Sequence, residues 1–402
     1  MDETAARDEV IAFRLASHHL DGRLGERDLL TAAGACGIQN SPPGSGLTAL
    51  YARVEGMSRE RLDSAVAEDR TLLQSWCMRG APFYFPTSDL DLFTTGVLPG
   101  TEKSLRHFVL GVERSVDDLG VALGELVTSA EEAIDGILRG QRMTITELGE
   151  ELARAMADSL TVEQRKIWVR EGPYAKGQSL GEGVVHFCIR ILTLRQILCF
   201  APRDGNTAPF VLVDEWLDRP KKSRQTDLDP STIDAARADL LRRYLHCYGP
   251  STRADFAAWL GIRSTEAAAW WDLLEGELTE IRFGRKTWML TEDVNALHSA
   301  QMPRGVRLLP PRDPYTQMRD RETIVDKVHH STVWKTVGEP GAVLVDGRIA
   351  GTWRGQKKNS NLTVTISPLD TVQTKEKRAL TAEAEAIGAL RQARRVDVEF
   401  DN

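Results

Sequence analysis

The chain has 402 residues, 42% hydrophobic and 27% charged, and a formal net charge of −7. That length predicts about two to four domains, and the acidic balance excludes a uniformly basic, nucleic-acid-coating protein while leaving room for a local basic patch. No apolar run reaches membrane-spanning length, Met1-Asp2-Glu3-Thr4 is unlike a secretory signal, and five scattered cysteines (Cys36, Cys77, Cys188, Cys199, Cys247) without Cys-x-x-Cys spacing predict reduced, buried thiols in a cytoplasmic protein without structural zinc.

The N-terminal region fits helices at Glu9–Leu20, at Glu26–Ala35 and within 45–67, followed by a hairpin of Leu72–Arg79 and Ala81–Phe85. Between the second and third helices lies Gly37-Ile38-Gln39-Asn40-Ser41-Pro42-Pro43-Gly44. Proline fixes φ and restricts the residue before it, so this run holds amide and hydroxyl side chains on a stiff bend. Read from composition alone it is a polar cap before a proline turn. No metal cluster, cysteine nucleophile or phosphate loop elsewhere in the sequence competes with it as a site.

Thr144–Leu152 is a short helix and Val184–Leu194 a longer one, with Ile197–Ala201 and Phe210–Asp214 joined through Asp204-Gly205-Asn206 as a second hairpin. A basic linker, Arg219-Pro220-Lys221-Lys222-Ser223-Arg224, follows. The clearest unit comes next: helices over Ala235–Tyr248, Ala254–Leu260 and Ala267–Leu274, then Leu278–Phe283 and Thr287–Leu290 around Gly284-Arg285-Lys286. Gly249-Pro250-Ser251-Thr252 ends one helix and caps the next. Three helices and a hairpin make a winged helix-turn-helix, and the upstream regions repeat that grammar. Beyond about residue 300, Val306–Leu309, Ala342–Val345, Arg348–Trp353 and Asn361–Ile366 read as strands, Asp346-Gly347 as a hairpin turn, Leu380–Ala393 as a helix and Val396–Phe400 as a last strand. The expected fold is α+β and mainly α: winged helices at 1–135, 136–230 and 231–300, then an α+β domain at 301–402.

A groove-reading third helix needs Arg, Lys, Asn or Gln outward. Thr265–Glu275 has no basic residue and three acids, so it is expected to be scaffold, and a sequence-specific repressor is disfavoured. Basic residues gather instead at Lys221, Lys222 and Arg224, at Arg312, Arg319 and Arg321, and at Arg354, Lys357 and Lys358. Each group taken alone is a solvated face; together they suit a phosphate-binding lining. Of His18-His19, and of His329-His330, only one member can face inward. Trp76, Phe83, Tyr315 and Trp353 could stack on bases, but core packing is the expectation.

Gly37-Ile38-Gln39, Gly46–Arg53, Leu73–Gly80, Pro82-Phe83, Thr146–Gly149, Cys199–Arg203, Gly249–Trp259, Arg307–Pro310, Asp313-Pro314-Tyr315, Arg319–Arg321 and Leu344–Trp353 together resemble the AlkZ-like DNA glycosylases over nearly the whole chain. The resemblance implies tandem winged helices in a C-shape around a DNA channel. It implies hydrolysis of the N-glycosidic bond of N7-alkylated purines, or of bulky or crosslinked adducts, in duplex DNA. It also implies a Gln-x-Gln or Gln-x-Asp catalytic motif. Anchored on Ala49-Leu50-Tyr51-Ala52-Arg53, the first motif position is Gln39 and the second is Ser41, with Asn40 between. Gln39, Asn40 and Ser41 are therefore the catalytic candidates, with no metal or organic cofactor. The expected partner is duplex DNA containing alkylated bases, bound by a monomer away from membranes. A non-catalytic DNA-binding or regulatory protein on the same scaffold is the alternative, because Ser41 supplies less field than Gln or Asp.

Overall fold

The computed structural model describes residues 3–203, 207–220 and 229–401. It is a mixed α/β fold in which each expected helix and strand among these residues is present, with shifted ends. The Asp204-Gly205-Asn206 turn and the 221–224 basic run lie outside the described residues.

The Arg7–Ser17 helix opens with Glu9 accepting from the Ala6 amide at 2.7 Å, and it buries Val10, Ile11, Phe13 and Leu15. After the short Leu29–Gly34 helix, Gly37 takes φ +74. A side chain there would meet the Phe83 and Phe93 rings at 3.2 Å, so both backbone and space call for glycine. This reversal starts the Ile38–Gln39 strand, which pairs antiparallel with Pro82–Pro86 through Ile38–Tyr84 and Gln39–Phe83.

The first two expected hairpins are not separate wings. They form one five-stranded sheet in the order 38–39, 82–86, 72–76, 198–200, 210–212. The join is the Gln74–Phe200 pairing. Trp76, Phe200 and Phe210 pack there with centroids 4.6–5.3 Å apart. Burying three large rings together favours the merged sheet over two exposed hairpin edges. Behind it, Leu123–Leu138, Ile145–Met156 and Leu180–Leu194 form a helical layer, the last two opened by Thr144/Glu147 and Ser179/Glu182 capping boxes.

The third region has the expected order: Pro230–Tyr248, Arg253–Leu260, Ser264–Asp272, then the Leu278–Phe283 and Arg285–Leu290 hairpin. The turn is tighter than expected, because Arg285 pairs with Phe283 across Gly284. Glu3–Thr4 adds a parallel edge strand to it. Tyr244, Tyr248, Phe256, Trp259, Trp270 and Trp271 make an aromatic core. The acidic third helix buries Trp270 and Trp271, and its Glu266 accepts from the Gly100 amide at 3.0 Å. That contact and its acidic composition make it a packing element rather than a groove reader.

The C-terminal sheet runs 395–400, 361–368, 348–358, 341–345, 306–309, antiparallel except for the 395–400 edge. Thr374–Leu390 covers one face through Leu380, Ala384 and Ile387. The strand expected to stop at Trp353 continues to Lys358, pairing with Asn361. Residues 354–358 are thus the exposed arm of a hairpin rather than a loop. Between Leu309 and Gly341 the chain leaves the sheet in a long excursion of short turns. Among the described residues no helix is long and apolar enough to cross a membrane.

Candidate active site

The bend after Gln39 is shaped mostly by Asn40. Its Oδ1 accepts from Gly44 N at 2.9 Å and Gly46 N at 3.2 Å, while Nδ2 donates to Tyr84 Oη at 3.2 Å. Its backbone N–H donates to Pro82 O at 2.8 Å. With two bonds at Oδ1 and one from Nδ2, the Asn40 side chain organises the turn. Ser41–Pro42 is a cis peptide, and the Ser45–Arg53 helix begins after Gly44.

Gln39 is buried at the edge of the sheet. Its Oε1 accepts from Arg79 Nη2 at 3.4 Å, and its backbone O accepts from Ser45 Oγ at 3.2 Å. Arginine only donates, so the amide atom facing Arg79 must be the oxygen. Arg79 stands in a left-handed turn (φ 56) and also donates to Trp259 O, tying the motif to the third region. Burial, with Arg319 and Arg312 nearby, pulls its pKa down to about 10, so it remains a cation at neutral pH.

Ser41 Oγ accepts from Arg312 Nη1 at 3.1 Å. Arg312 Nε in turn lies 3.5 Å from Glu339 Oε2. Burial raises the Glu339 carboxyl above the usual range, against the opposing charges of Arg312, Arg321 and Arg79. A cavity of ≈ 370 Å³ opens here between Pro42–Thr48 and the C-terminal sheet, bordered by Glu339, Trp353, Arg354 and Lys357. On the other side of the bend, a second cavity of ≈ 660 Å³ meets Asn40, Arg59, Gln74, Tyr84 and Arg203.

Two buried ion pairs hold the 310–340 excursion against the motif. Arg53 and Asp313, each 1% exposed as residues, pair through two bonds of 2.7 and 2.8 Å. Burial lowers the Arg53 pKa, but the Asp313 charge and hydrogen bonds outweigh it. Arg53 also donates to His18 O and Ala49 O, both at 2.9 Å. The second pair is Arg14–Asp320 at 2.8 Å, with Arg14 donating to Gly249 O and Pro250 O. These pairs place residue 312 beside residue 41.

The AlkZ-like DNA glycosylase profile matches residues 32–390. The chain belongs to the AlkZ-like DNA glycosylase family. It is 28% identical over 364 residues, 86% of each protein, to an interstrand DNA cross-link repair glycosylase of Streptomyces sahachiroi. Its fold is similar to the solved structure of the Streptomyces sahachiroi DNA glycosylase AlkZ, with a TM-score of 0.75, 23% identity and coverage of 99% of this chain and 100% of that one.

In this AlkZ-like chain the expected basic residues divide between two places. Arg312 reaches Ser41, one residue before Pro42 in the wall of the ≈ 370 Å³ cavity that Arg354 and Lys357 border. Arg354 donates to Gly338 O at 2.5 Å, Lys357 to Arg391 O at 2.6 Å, and Lys358 is exposed at the hairpin end. Arg319 and Arg321 border a different cavity of ≈ 670 Å³, with Arg7, Arg285, Lys327 and His330. Arg321 lies over Trp334 at 4.7 Å, and Arg319 Nε is buried without a hydrogen-bond partner. Lys221, Lys222 and Arg224 lie outside the described residues. Phe83, Tyr315 and Trp353 are buried, and Trp76 packs in the merged sheet. His18 is the inward member of its pair. It meets Cys36 and Cys247 in a fully buried group whose nitrogen and sulfur atoms lie within 4.8 Å of one another, with Cys36 two residues before the Ile38–Gln39 strand. The scattered cysteine positions gave no sign of that convergence. Arg79 lies in the Leu73–Gly80 run that carries the family resemblance but was not singled out there, and Glu339, in Gly338-Glu339-Pro340-Gly341, carries no sequence signal.

Proposed function

We propose that this chain is a monofunctional DNA glycosylase acting on N7-alkylated purines, or on bulky or crosslinked adducts, in duplex DNA. The observation that carries the reading is the pairing of each motif residue with its own guanidinium, Gln39 with Arg79 and Ser41 with Arg312, beside a cavity edged by Arg354 and Lys357. An N7-alkylated purine is already cationic and needs little general acid to leave. The site's task is to hold the nucleoside, stabilise an oxocarbenium-like sugar and orient water. Arg79 fixes the Gln39 amide, and a fixed amide dipole costs no reorganisation during the reaction. The cationic cavity rim suits the phosphates of the flanking strand. Asn40 serves by holding the bend, and a lysine nucleophile is missing from the motif, so Schiff-base chemistry is not proposed. The protein is expected to act as a monomer without a cofactor.

The test is release of N7-methylguanine, and unhooking of a crosslinked duplex, by the purified chain. Gln39→Ala should lower the rate by on the order of a hundredfold with duplex binding retained. Salt-sensitive duplex binding without base release, unaffected by Gln39→Ala, would instead support a non-catalytic DNA-binding protein, the reading that Ser41 in the second position favours.

A further inference from the structure

Hydrolysis needs an acceptor for the proton of the attacking water. A Gln amide and a Ser hydroxyl are poor acceptors, and Ser41 Oγ already receives the Arg312 N–H. Among the described residues lining the ≈ 370 Å³ cavity between the bend and the C-terminal sheet, Glu339 is the sole carboxylate, while Asp63 lines the cavity on the other side of the bend. It approaches from the opposite wall, in the turn before the Gly341–Val345 strand, and Arg312 bridges it to Ser41 through contacts of 3.5 and 3.1 Å. We infer that Glu339 is the catalytic carboxylate of this site, acting as general base for the water that replaces the damaged purine.

The inference rests on the glycosylase reading above. The water oxygen bonds to C1′ of the sugar, and the C1′–N bond breaks. Its electron pair returns to the purine ring, cancelling the positive charge, and the water proton passes to Glu339. The surroundings suit this role. The Arg312 contact is long at 3.5 Å, whereas the structural carboxylate Asp313 is clamped at 2.7 and 2.8 Å. Glu339 therefore keeps more of its accepting capacity. Partial burial, with 18% of the side chain exposed, makes it a stronger base than a free glutamate. Arg312, Arg321 and Arg79 oppose that rise with their positive charges. Those arginines, and Arg354 and Lys357 on the cavity wall, are charged groups that face Glu339, and no histidine or second carboxylate lines this cavity among the described residues. An acidic limb in the rate therefore belongs to the carboxylate.

The experiment is single-turnover release of N7-methylguanine from a duplex by the full chain, as a function of pH, with Glu339→Gln and Glu339→Asp. Wild type should rise with pH to a plateau. Glu339→Gln should fall about a hundredfold or more and lose that limb, with unchanged melting temperature and duplex affinity. Glu339→Asp should restore part of the rate and the limb. If wild type releases base and Glu339→Gln keeps both rate and limb, the inference fails and the glycosylase reading stands. If both variants lose duplex binding and thermal stability together, Glu339 is a structural residue and the inference fails. If wild type releases no base, the glycosylase reading falls and carries the inference with it.

Discussion

Replacing Asp313 by Asn removes one charge with little change of shape, at a site where charge matters most. Asp313 Oδ1 accepts from Arg53 Nη2 at 2.7 Å and Tyr315 N at 3.0 Å, and Oδ2 accepts from Arg53 Nη1 at 2.8 Å. In Asp313→Asn the oxygen can keep the first two bonds, but the new N–H₂ then faces the Arg53 N–H, donor against donor. Arg53 is left as a buried cation compensated only by neutral oxygens, the retained amide oxygen and the His18 and Ala49 carbonyls. Breaking one side of such a pair costs about 3–5 kcal/mol. For cooperative unfolding of a 402-residue chain that is a melting-temperature drop of roughly 4–6 °C. Thermal unfolding followed by circular dichroism reads it directly. The double variant Arg53→Met/Asp313→Leu, which removes both charges, should recover most of the loss. A single-variant loss below about 1 kcal/mol, the value typical of an exposed pair, would refute the claim that this bridge is dry and anchors the 310–340 excursion. Base release should fall further than stability alone explains, since Arg312 loses its seat beside Ser41.

Arg312→Ala should lower base release while leaving the melting temperature within about 1 kcal/mol equivalent, because its pairs are half exposed; an equal loss in both measurements would contradict its assignment to the site. Gly46→Ala would put a Cβ 2.8 Å from the Tyr84 ring and 3.3 Å from Asn40 Oδ1, so it should destabilise by about 1–3 kcal/mol in chemical denaturation, and a neutral result would show the bend to be adaptable. Duplex affinity should fall steeply between low and physiological salt, and Arg354→Ala should flatten the slope in a titration of log K against log salt. The Asp293 hydrogen bond, against burial, raises the His246 pKa. A raised folded-state value means that this stabilisation is fully present below the unfolded histidine pKa of about 6.5 and is lost as pH rises through the folded value. Asp293→Asn should abolish that dependence in melts across this window, and an unchanged profile would remove the linkage.

The sequence by itself determined the local grammar of this protein. Helical spacing in 235–274 and alternation in 278–290 located the elements of the third region within a few residues of where they lie, because hydrogen bonds within a turn or hairpin depend on neighbouring residues. The Gly37–Gly44 bend was legible for the same reason: glycine and proline limit their own backbone. The sequence also marked Gln39 and Ser41, through family resemblance. Tertiary structure decided what surrounds them. It merged two expected hairpins into one sheet at Gln74–Phe200, extended a strand through 354–358, turned Asn40 into a turn organiser and sent Arg319 and Arg321 to another cavity. Above all it brought Arg312 to Ser41 across 271 residues of chain and Arg79 to Gln39 across 40. No periodicity encodes such meetings. The first follows from the Arg53–Asp313 and Arg14–Asp320 bridges, whose charges can be buried only when distant segments close on each other, and the second from the pairing of the 38–39 and 72–76 strands on either side of 82–86.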